Sequence, residues 1–250
     1  MAEQNISARP IATGTRPQPV VIITGASQGI GAALVGAYRK LNYSVVANSR
    51  TITAADDPGV AAVAGDVADP ATAERLVSTA VERFGRVDTL INNAGVFVAK
   101  PFTEYTAADY RHVTAVNLTG FFLITQRVIA QMLSQGDGGH VVNVTTTLVE
   151  RADARVPSAL ASLTKGGLAA VTKSLAIEHA RSGIRVNAIS PGVIDTPMHA
   201  NNDHAALAGL HPLGRLGTVD DIVEGVVYLE TATFVTGEIL HIDGGQSAGH

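Results

Sequence analysis

The sequence predicts a single α/β domain of the doubly wound class, in which helices cover both faces of a parallel sheet. Short runs rich in β-branched residues alternate along the chain with longer helical patterns, as βαβ units require. The predicted strands are almost continuously apolar, which is typical of strands buried on both faces. The 250-residue chain is 46% hydrophobic and 16% charged, which suits a sizeable core, and no internal repeat or second core is evident.

The elements follow from local patterns in chain order. Apolar runs predict strands over residues 19–24, 43–49, 60–65, 87–93, 139–146, 184–190 and 237–243. Helices are predicted from the glycine-rich stretch after the first strand to about residue 41, and over about 70–84, 108–134, 159–180 and 220–230. Asp69 as N-cap, Pro70 at the first helical position and Gly85 after the end mark the second helix. Residues 50–59 are too short and too rich in Pro and Gly for a crossover helix, which predicts a loop or a single turn.

Composition excludes several classes of function. The net charge is −4 and the basic residues are dispersed, which argues against a nucleic-acid surface. The chain has no cysteine, so disulfides, thiolate catalysis and Cys-ligated zinc are excluded, and no metal site is predicted. No apolar run reaches the ~20 residues of a membrane-spanning helix. Residues 1–18 are polar and lack the apolar segment of a secretory signal, which predicts a disordered tail and a soluble cytoplasmic protein.

A glycine-rich stretch, "TGASQGIG" (24–31), lies between the first strand and the first helix. Its glycines permit a tight turn, a close approach of backbone to a pyrophosphate, and tight packing of helix on strand. The N–H groups and the positive dipole at the start of the helix favour phosphate there. The stretch therefore predicts a dinucleotide site that includes Gly25, Ser27, Gln28, Gly29, Ile30 and Gly31.

The end of the second strand predicts which dinucleotide binds. NAD-binding folds place an Asp or Glu at this position to accept a hydrogen bond from the ribose 2′-hydroxyl. Here Ser49 takes the position and Arg50 follows it. A hydroxyl does not repel a 2′-phosphate and a guanidinium binds one through two parallel hydrogen bonds, so NADP(H) is favoured over NAD(H).

Five motifs in order give the chain its resemblance to a known family. They are "TGASQGIG", "NNAG" (92–95), "VNLTG" (116–120), a helix carrying Lys165, and "SPGVIDTPM" (190–198). With them the chain resembles the short-chain dehydrogenase/reductase family over about residues 20–245. The resemblance implies a Rossmann-type fold with a seven-stranded parallel sheet, a small-molecule substrate and a homo-oligomer, either a tetramer or a dimer.

The resemblance also implies roles for individual residues. Asp66 and Val67 match the pair that contacts adenine, and Lys165 matches the lysine that binds the nicotinamide ribose. Asn117 matches an asparagine in a helix that carries a water-linked proton relay to that lysine. The remaining cofactor positions that match the family are Asn93, Ala94, Gly95, Pro191, Gly192, Ile194 and Thr196.

The catalytic unit departs from the family pattern at the tyrosine and at the serine. Four residues before the lysine the family carries a tyrosine that transfers the proton, and this chain has Ala161. No tyrosine occurs between Arg111 and Val227, so no modest shift of the alignment restores one. The family's substrate-holding serine corresponds to Thr146, with Thr145 and Thr147 as alternatives of register.

Several groups are candidate proton donors in place of the tyrosine. Lys165 with a bound water is one candidate, and Ser158, on the same helix face as Ala161, is a poorer acid. Charged loop residues after the fifth strand and histidines after "DTPM" complete the set: Glu150, Arg151, Asp153, Arg155, His199, His204 and His211.

Three functions stay open at this point. The favoured one is an NADP(H)-dependent oxidoreductase that acts on a C=O, C=N or C=C bond with Thr146, Lys165 and Asn117 in a modified site. The second is a catalytically silent NADP(H)-binding protein, and the third is a cofactor-free lyase or isomerase. Residues 198–213 are predicted to form a substrate lid. The sequence names neither the substrate nor the direction of the reaction.

Overall fold

The computed structural model describes residues 17–249. Residues 1–16 of the tail predicted over 1–18 lie outside the described residues, as does His250. The strands are β1 (Val20–Thr24), β2 (Ser44–Ser49), β3 (Val60–Ala64), β4 (Thr89–Asn92), β5 (Gly139–Val144), β6 (Ile184–Pro191) and β7 (Ile239–Ile242). The helices are α1 (Gly29–Lys40), α2 (Pro70–Phe84), α3 (Ala107–Thr114), α4 (Phe121–Gln135), α5 (Ala159–His179), α6 (His204–Ala208) and α7 (Val219–Thr231).

All seven strands lie parallel in one sheet, in the order β3-β2-β1-β4-β5-β6-β7. The order reverses between β1 and β4, which is the topological switch point of a doubly wound sheet. This confirms the predicted fold class. No helix connects β2 to β3, as the Pro/Gly punctuation of residues 50–59 predicts.

Side chains alternate between the two faces of each strand, and helices cover both faces of the sheet, so both sets of side chains are buried. Ile22 and Leu90 belong to a cluster that α2, α4 and α5 cover, and Val21 and Ile23 belong to a second cluster that α1 and α7 cover. Helix α2 has the predicted ends: the Asp69 carboxylate accepts from the Ala71 N–H, and Gly85 ends the helix at φ 87°.

The helix predicted over about 108–134 runs from Ala107 to Gln135, but it is not α-helical throughout. A π-helical segment, Ala115–Gly120, separates α3 from α4. Asn117 lies in this segment, and its side chain bonds to Val96, which follows β4, and to Thr164 on α5. Local periodicity carries no signal of these tertiary contacts. By length and composition Ala107–Gln135 would pass for a membrane span, but Ile124 and Val128 on it pack into the core.

Two strands are shorter than predicted because side chains take their backbone bonds. The Gln135 amide bonds to both N–H and C=O of Val87, so β4 begins at Thr89 instead of residue 87. The Asn187 amide oxygen accepts from the Glu238 N–H, so β7 begins at Ile239 instead of residue 237. Strand β5 ends at Val144, which leaves Thr146 between the strand and a 3₁₀ turn over Thr147–Val149.

A buried carboxylate joins several elements at the amino edge of the sheet. The two oxygens of Glu230 on α7 accept from the hydroxyls of Tyr38, Tyr43 and Thr89 and from Nδ1 of His140, at 2.9–3.0 Å. His140 accepts at Nε2 from the Asn187 amide, so it is neutral with its proton on Nδ1. Burial lowers the pKa of His140, which agrees with this state.

Candidate active site

A cleft of about 930 Å³ lies at the carboxyl edge of the sheet, above the switch point. Open α/β sheets bind ligands at this position. Every predicted cofactor residue except Gly31 lines it, from Gly25 and Arg50 at one end to Lys165 and Thr196 at the other. Thr146 and Ala161 also line it, whereas Asn117 lines a small adjoining pocket.

The glycine loop between β1 and α1 is shaped as a cradle. Gly25 and Gly29 have φ values of 66° and 53°, in the left-handed region that favours glycine. A methyl group on Gly31 would collide with the Gly25 carbonyl oxygen, so only glycine lets α1 pack this close to the loop. Gln28 precedes α1 without a side-chain capping bond, which leaves the first N–H groups of the helix for a ligand.

Asn93 and Thr24 fix this loop to the neighbouring strand. The Asn93 amide donates to the carbonyls of Thr24 and Gly25, at 2.9 and 3.1 Å. The Thr24 hydroxyl accepts from the N–H groups of Asn93 and Ala94. Asn93 is therefore a support for the loop as well as a residue of the cleft wall.

Arg50 lies at the end of the cleft beside β2, and its guanidinium forms no hydrogen bond or ion pair with any residue in 17–249. Ser49 next to it is only half-buried. The Asp66 carboxylate accepts from the Ala68 N–H, and Val67 is buried against Gly120. This end of the cleft therefore holds an uncompensated cation with free hydrogen-bond donors.

Asn117 is buried and holds the segment that follows Gly95. Its amide oxygen accepts from the Val96 N–H at 2.9 Å, and its amide nitrogen donates to the Val96 carbonyl and the Thr164 hydroxyl, both at 3.1 Å. The structure therefore brings Asn117 close to Lys165 through Gly95 but commits its side chain to backbone support.

Lys165 and Ala161 lie one turn apart on α5, and both face the cleft. The Lys165 ammonium donates to the Val144 carbonyl at 2.7 Å, and the side chain is 8% exposed. Burial lowers its pKa from 10.5 to about 8. A methyl group at Gly95 would lie 3.0 Å from its Nζ, so glycine leaves room for this ammonium.

The three threonines after β5 differ in what their hydroxyls do. Thr145 donates to the Ile189 carbonyl and Thr147 to the Asp243 carboxylate, each at 2.7 Å. Thr146 only accepts, from the Leu148 N–H at 3.4 Å, so its hydroxyl proton is free to point into the cleft. Among these positions Thr146 is the one available to a substrate oxygen.

Most of the charged residues after β5 that are candidate proton donors bond to other side chains or do not line the cleft. Glu150 bonds to His241, and neither lines the cleft. Arg155 lines the cleft but binds Asp153 through two nitrogens at 2.6–3.2 Å. Arg151 is half-buried near Gly249, outside the cleft wall.

Among the serine and histidine residues that are candidate proton donors, only His199 lines the cleft within residues 17–249. Ser158 begins α5 and does not line the cleft, and neither does His204, whose ring bonds to the His199 carbonyl. His211 accepts from the Val193 N–H at Nε2, and burial lowers its pKa, so it is a neutral support of the backbone after β6. Within residues 17–249 His199 is the histidine that lines the cleft.

The segment after β6 closes the cleft against the glycine loop. A methyl group on Gly29 would lie 3.3 Å from the Thr196 side chain, so these two segments pack closely. Leu207 and Leu210, from the predicted lid, line the cleft together with Gln246 near the carboxyl terminus. Sequence reasoning did not single out Gln246, although it directly follows the glycine pair after the last strand. No group of three or more His, Asp or Glu side chains in residues 17–249 is placed to hold a metal ion.

The fold and the cleft define a Rossmann-type α/β protein with its site at the switch point of the sheet. Residues 25–247 match the family model described as enoyl-(acyl carrier protein) reductase. A cis-4-hydroxycyclohexanecarboxylate dehydrogenase from Sinomonas cyclohexanicum is 36% identical, with 92% of this chain and 96% of the relative covered. The chain belongs to the short-chain dehydrogenase/reductase family.

Solved structures resemble the chain over almost its whole length. ElxO with NADP bound has a TM-score of 0.85 at 27% identity, covering 93% of this chain and 100% of that one. A 3-ketoacyl-(acyl-carrier-protein) reductase from Brucella melitensis, complexed with NADH, has a TM-score of 0.83 at 30% identity, covering 92% and 98%. Both support the seven-stranded Rossmann-type fold.

Proposed function

We propose that this protein is an NADP(H)-dependent oxidoreductase that transfers hydride to or from a small organic substrate, in a site where Ala161 replaces the family's tyrosine. The observation that carries the proposal is the juxtaposition in one cleft of the buried Lys165 ammonium, the free Thr146 hydroxyl and the unpaired Arg50 guanidinium. Arg50 lies at the end of the cleft that follows β2, and Lys165 and Thr146 lie beside the end of β5, where the nicotinamide and the substrate would meet.

The residues fit the cofactor. The cradle around Gly25 and Gly29, with the uncapped start of α1, suits a pyrophosphate. Arg50 suits a 2′-phosphate, and Lys165 suits a ribose hydroxyl. When bound, the nicotinamide supplies or accepts the hydride. The other positions proposed to hold it are Ser27, Gln28, Ile30, Ser49, Asp66, Val67, Asn93, Ala94, Pro191, Gly192, Ile194 and Thr196, all on the cleft wall.

The protein's own residues orient the substrate and hold the proton. The Thr146 hydroxyl donates a hydrogen bond to the substrate oxygen or nitrogen. The methyl group of Ala161 transfers no proton and leaves room for a water beside the Lys165 ammonium, whose pKa of about 8 makes it an acid near neutral pH. His199 is the second candidate acid on the cleft wall.

An Arg50→Ala substitution is expected to weaken NADPH binding by about 10- to 100-fold, because a hydrogen bond to a charged group contributes about 1.5–3 kcal/mol. Binding of NADH, which has no 2′-phosphate, should hardly change. Fluorescence titration of each variant with both cofactors measures this. Arg181→Ala removes an exposed arginine near the opposite edge of the sheet and serves as the control. Equal losses for NADPH and NADH would contradict the proposed preference.

The alternative is a catalytically silent NADP(H)-binding protein, which the loss of a proton-transferring side chain at Ala161 favours. An Ala161→Tyr substitution separates the two. Tyr at this position faces the cleft four residues before Lys165, so on the enzyme proposal ketone reduction should rise by about 10²-fold, the lower end for a positioned acid. Ala161→Phe supplies the ring without the hydroxyl and should give no gain.

NADPH binding without turnover in any of these variants would favour the silent protein. Absence of NADPH binding would overturn both functions.

We further propose a homo-oligomer, since exposed apolar side chains lie on two helices that cover the same face of the sheet, at Phe122, Leu163 and Ile177. The cytoplasmic location and the lid over 198–213 stay predictions.

A further inference from the structure

Gln246 lies in a tight turn that follows β7. The Asp243 carboxylate accepts from the N–H groups of Gly245 and Ser247, at 3.0 and 2.8 Å, and the Gln246 N–H donates to the Asp243 carbonyl at 3.1 Å. The same carboxylate accepts from Thr147, the neighbour of Thr146. The turn is therefore fixed to the cleft wall next to the threonine that faces the substrate.

The Gln246 side chain is buried without a partner. The residue is 4% exposed and lines the cleft, and its Oε1 is buried without a hydrogen-bond partner within residues 17–249. A buried polar group left unsatisfied costs about 1–3 kcal/mol. The buried Oε1 therefore lacks the hydrogen-bond donor that a ligand in the cleft could supply.

Gln246 lies far from the adenosine end of the cleft, in a turn that packs against His211 and Pro212 of the predicted lid. Arg50 follows β2 and Gln246 follows β7, and the sheet order places five strand spacings between these two strands, about 24 Å. Leu207, Leu210 and Val193 are apolar residues that also line this cleft. An isolated carboxamide among apolar side chains selects one polar group on an otherwise apolar ligand.

We propose that Gln246 is a specificity-determining residue that binds a hydroxyl group of the substrate remote from the reacting carbon. A hydroxyl both donates and accepts, so it satisfies either end of the carboxamide, whereas an alkyl group leaves it unpaired. The protein would then take hydroxyketones, or the matching diols in the reverse direction. This inference rests on the proposed hydride transfer.

The test compares linear hydroxyketones of increasing chain length, each paired with the ketone in which a methyl group replaces the hydroxyl. The wild type is expected to prefer the hydroxyketone at one chain length by about 10-fold in kcat/KM, and Gln246→Leu to lose that preference while NADPH affinity stays unchanged. Gln126→Leu, at an exposed glutamine on α4, is the matched control.

Calorimetric titration of the same ligand pairs into the protein–NADP⁺ complex gives the comparison without turnover. A wild type that reduces no ketone yet binds the hydroxyketone more tightly, with the difference lost in Gln246→Leu, supports the role of Gln246 and counts against hydride transfer. Equal preference in the wild type and Gln246→Leu at every chain length, by both measurements, overturns the inference.

Discussion

A Lys165→Met variant is expected to lose about 10²–10⁴-fold in the rate of hydride transfer, the usual contribution of a positioned acid. Met fills a similar volume but has neither the charge nor the proton of the ammonium that lies next to Ala161 in the cleft. The pKa of Lys165 is about 8, so the reduction rate of the wild type should fall as the pH rises through about 8. Steady-state kinetics across this range measures both effects.

The same variant should be more stable than the wild type. Burial lowers the pKa of Lys165 from 10.5 to about 8, so the folded protein carries an unfavourable buried charge below pH 8. Removing it should raise the free energy of unfolding on the order of 1–3 kcal/mol at pH 7. Between about pH 8 and 10.5 the unfolded chain binds the proton and the folded one does not, so the advantage should shrink there.

Lys173→Met is the matched control, since Lys173 is exposed on the same helix. It should leave both the hydride-transfer rate and the free energy of unfolding close to the wild type. A lower free energy of unfolding in Lys165→Met would contradict the conclusion that the buried Lys165 ammonium destabilises the folded protein.

A Glu230→Ala variant should lose about 3–5 kcal/mol of stability, because it leaves several buried hydrogen-bond donors without their acceptor, at about 1–3 kcal/mol for each fully buried group. The carboxylate accepts from Tyr38, Tyr43, Thr89 and His140, which belong to or precede four different elements. Urea unfolding measures the loss. Glu178→Ala, at an exposed glutamate on α5, should change stability by less than about 0.5 kcal/mol.

The decrease in the free energy of unfolding at acid pH is a second measurement of these hydrogen bonds. Burial alone would raise the pKa of Glu230, but hydrogen bonds from His140, Tyr38 and Tyr43 outweigh it and lower the pKa from 4.5 to about 2. The contribution is therefore fully present above pH 4.5 and is lost as the pH falls toward 2. Glu230→Ala should flatten this part of the curve; an unchanged pH dependence would show that the carboxylate does not stabilise the fold.

Local signals predicted most of the fold. The caps at Asp69 and Gly85 placed α2, and the apolar runs placed all seven strands to within a few residues. The cleft residues were predictable because the motifs follow strands whose carboxyl ends meet at one edge of a parallel sheet.

The remaining features depend on contacts between distant parts of the chain. The π-helical segment carries no local signature, since it depends on the bonds of Asn117 to Val96 and Thr164. The choice among Thr145, Thr146 and Thr147 depends on Ile189 and Asp243, which take two of the three hydroxyls. The burial of Gln246 is likewise set by a turn near the other end of the chain.

Transfer of deuterium from labelled NADPH to the substrate shows whether a site with Ala161 transfers hydride. Purified protein is mixed with NADPH that carries deuterium at the transferred position, together with a panel of ketones, imines and enones, and products are analysed by mass spectrometry. We expect deuterium on the substrate carbon of at least one product, and we expect Lys165→Met to give no such product. Tight NADPH binding with no deuterium in any product would contradict the proposed hydride transfer.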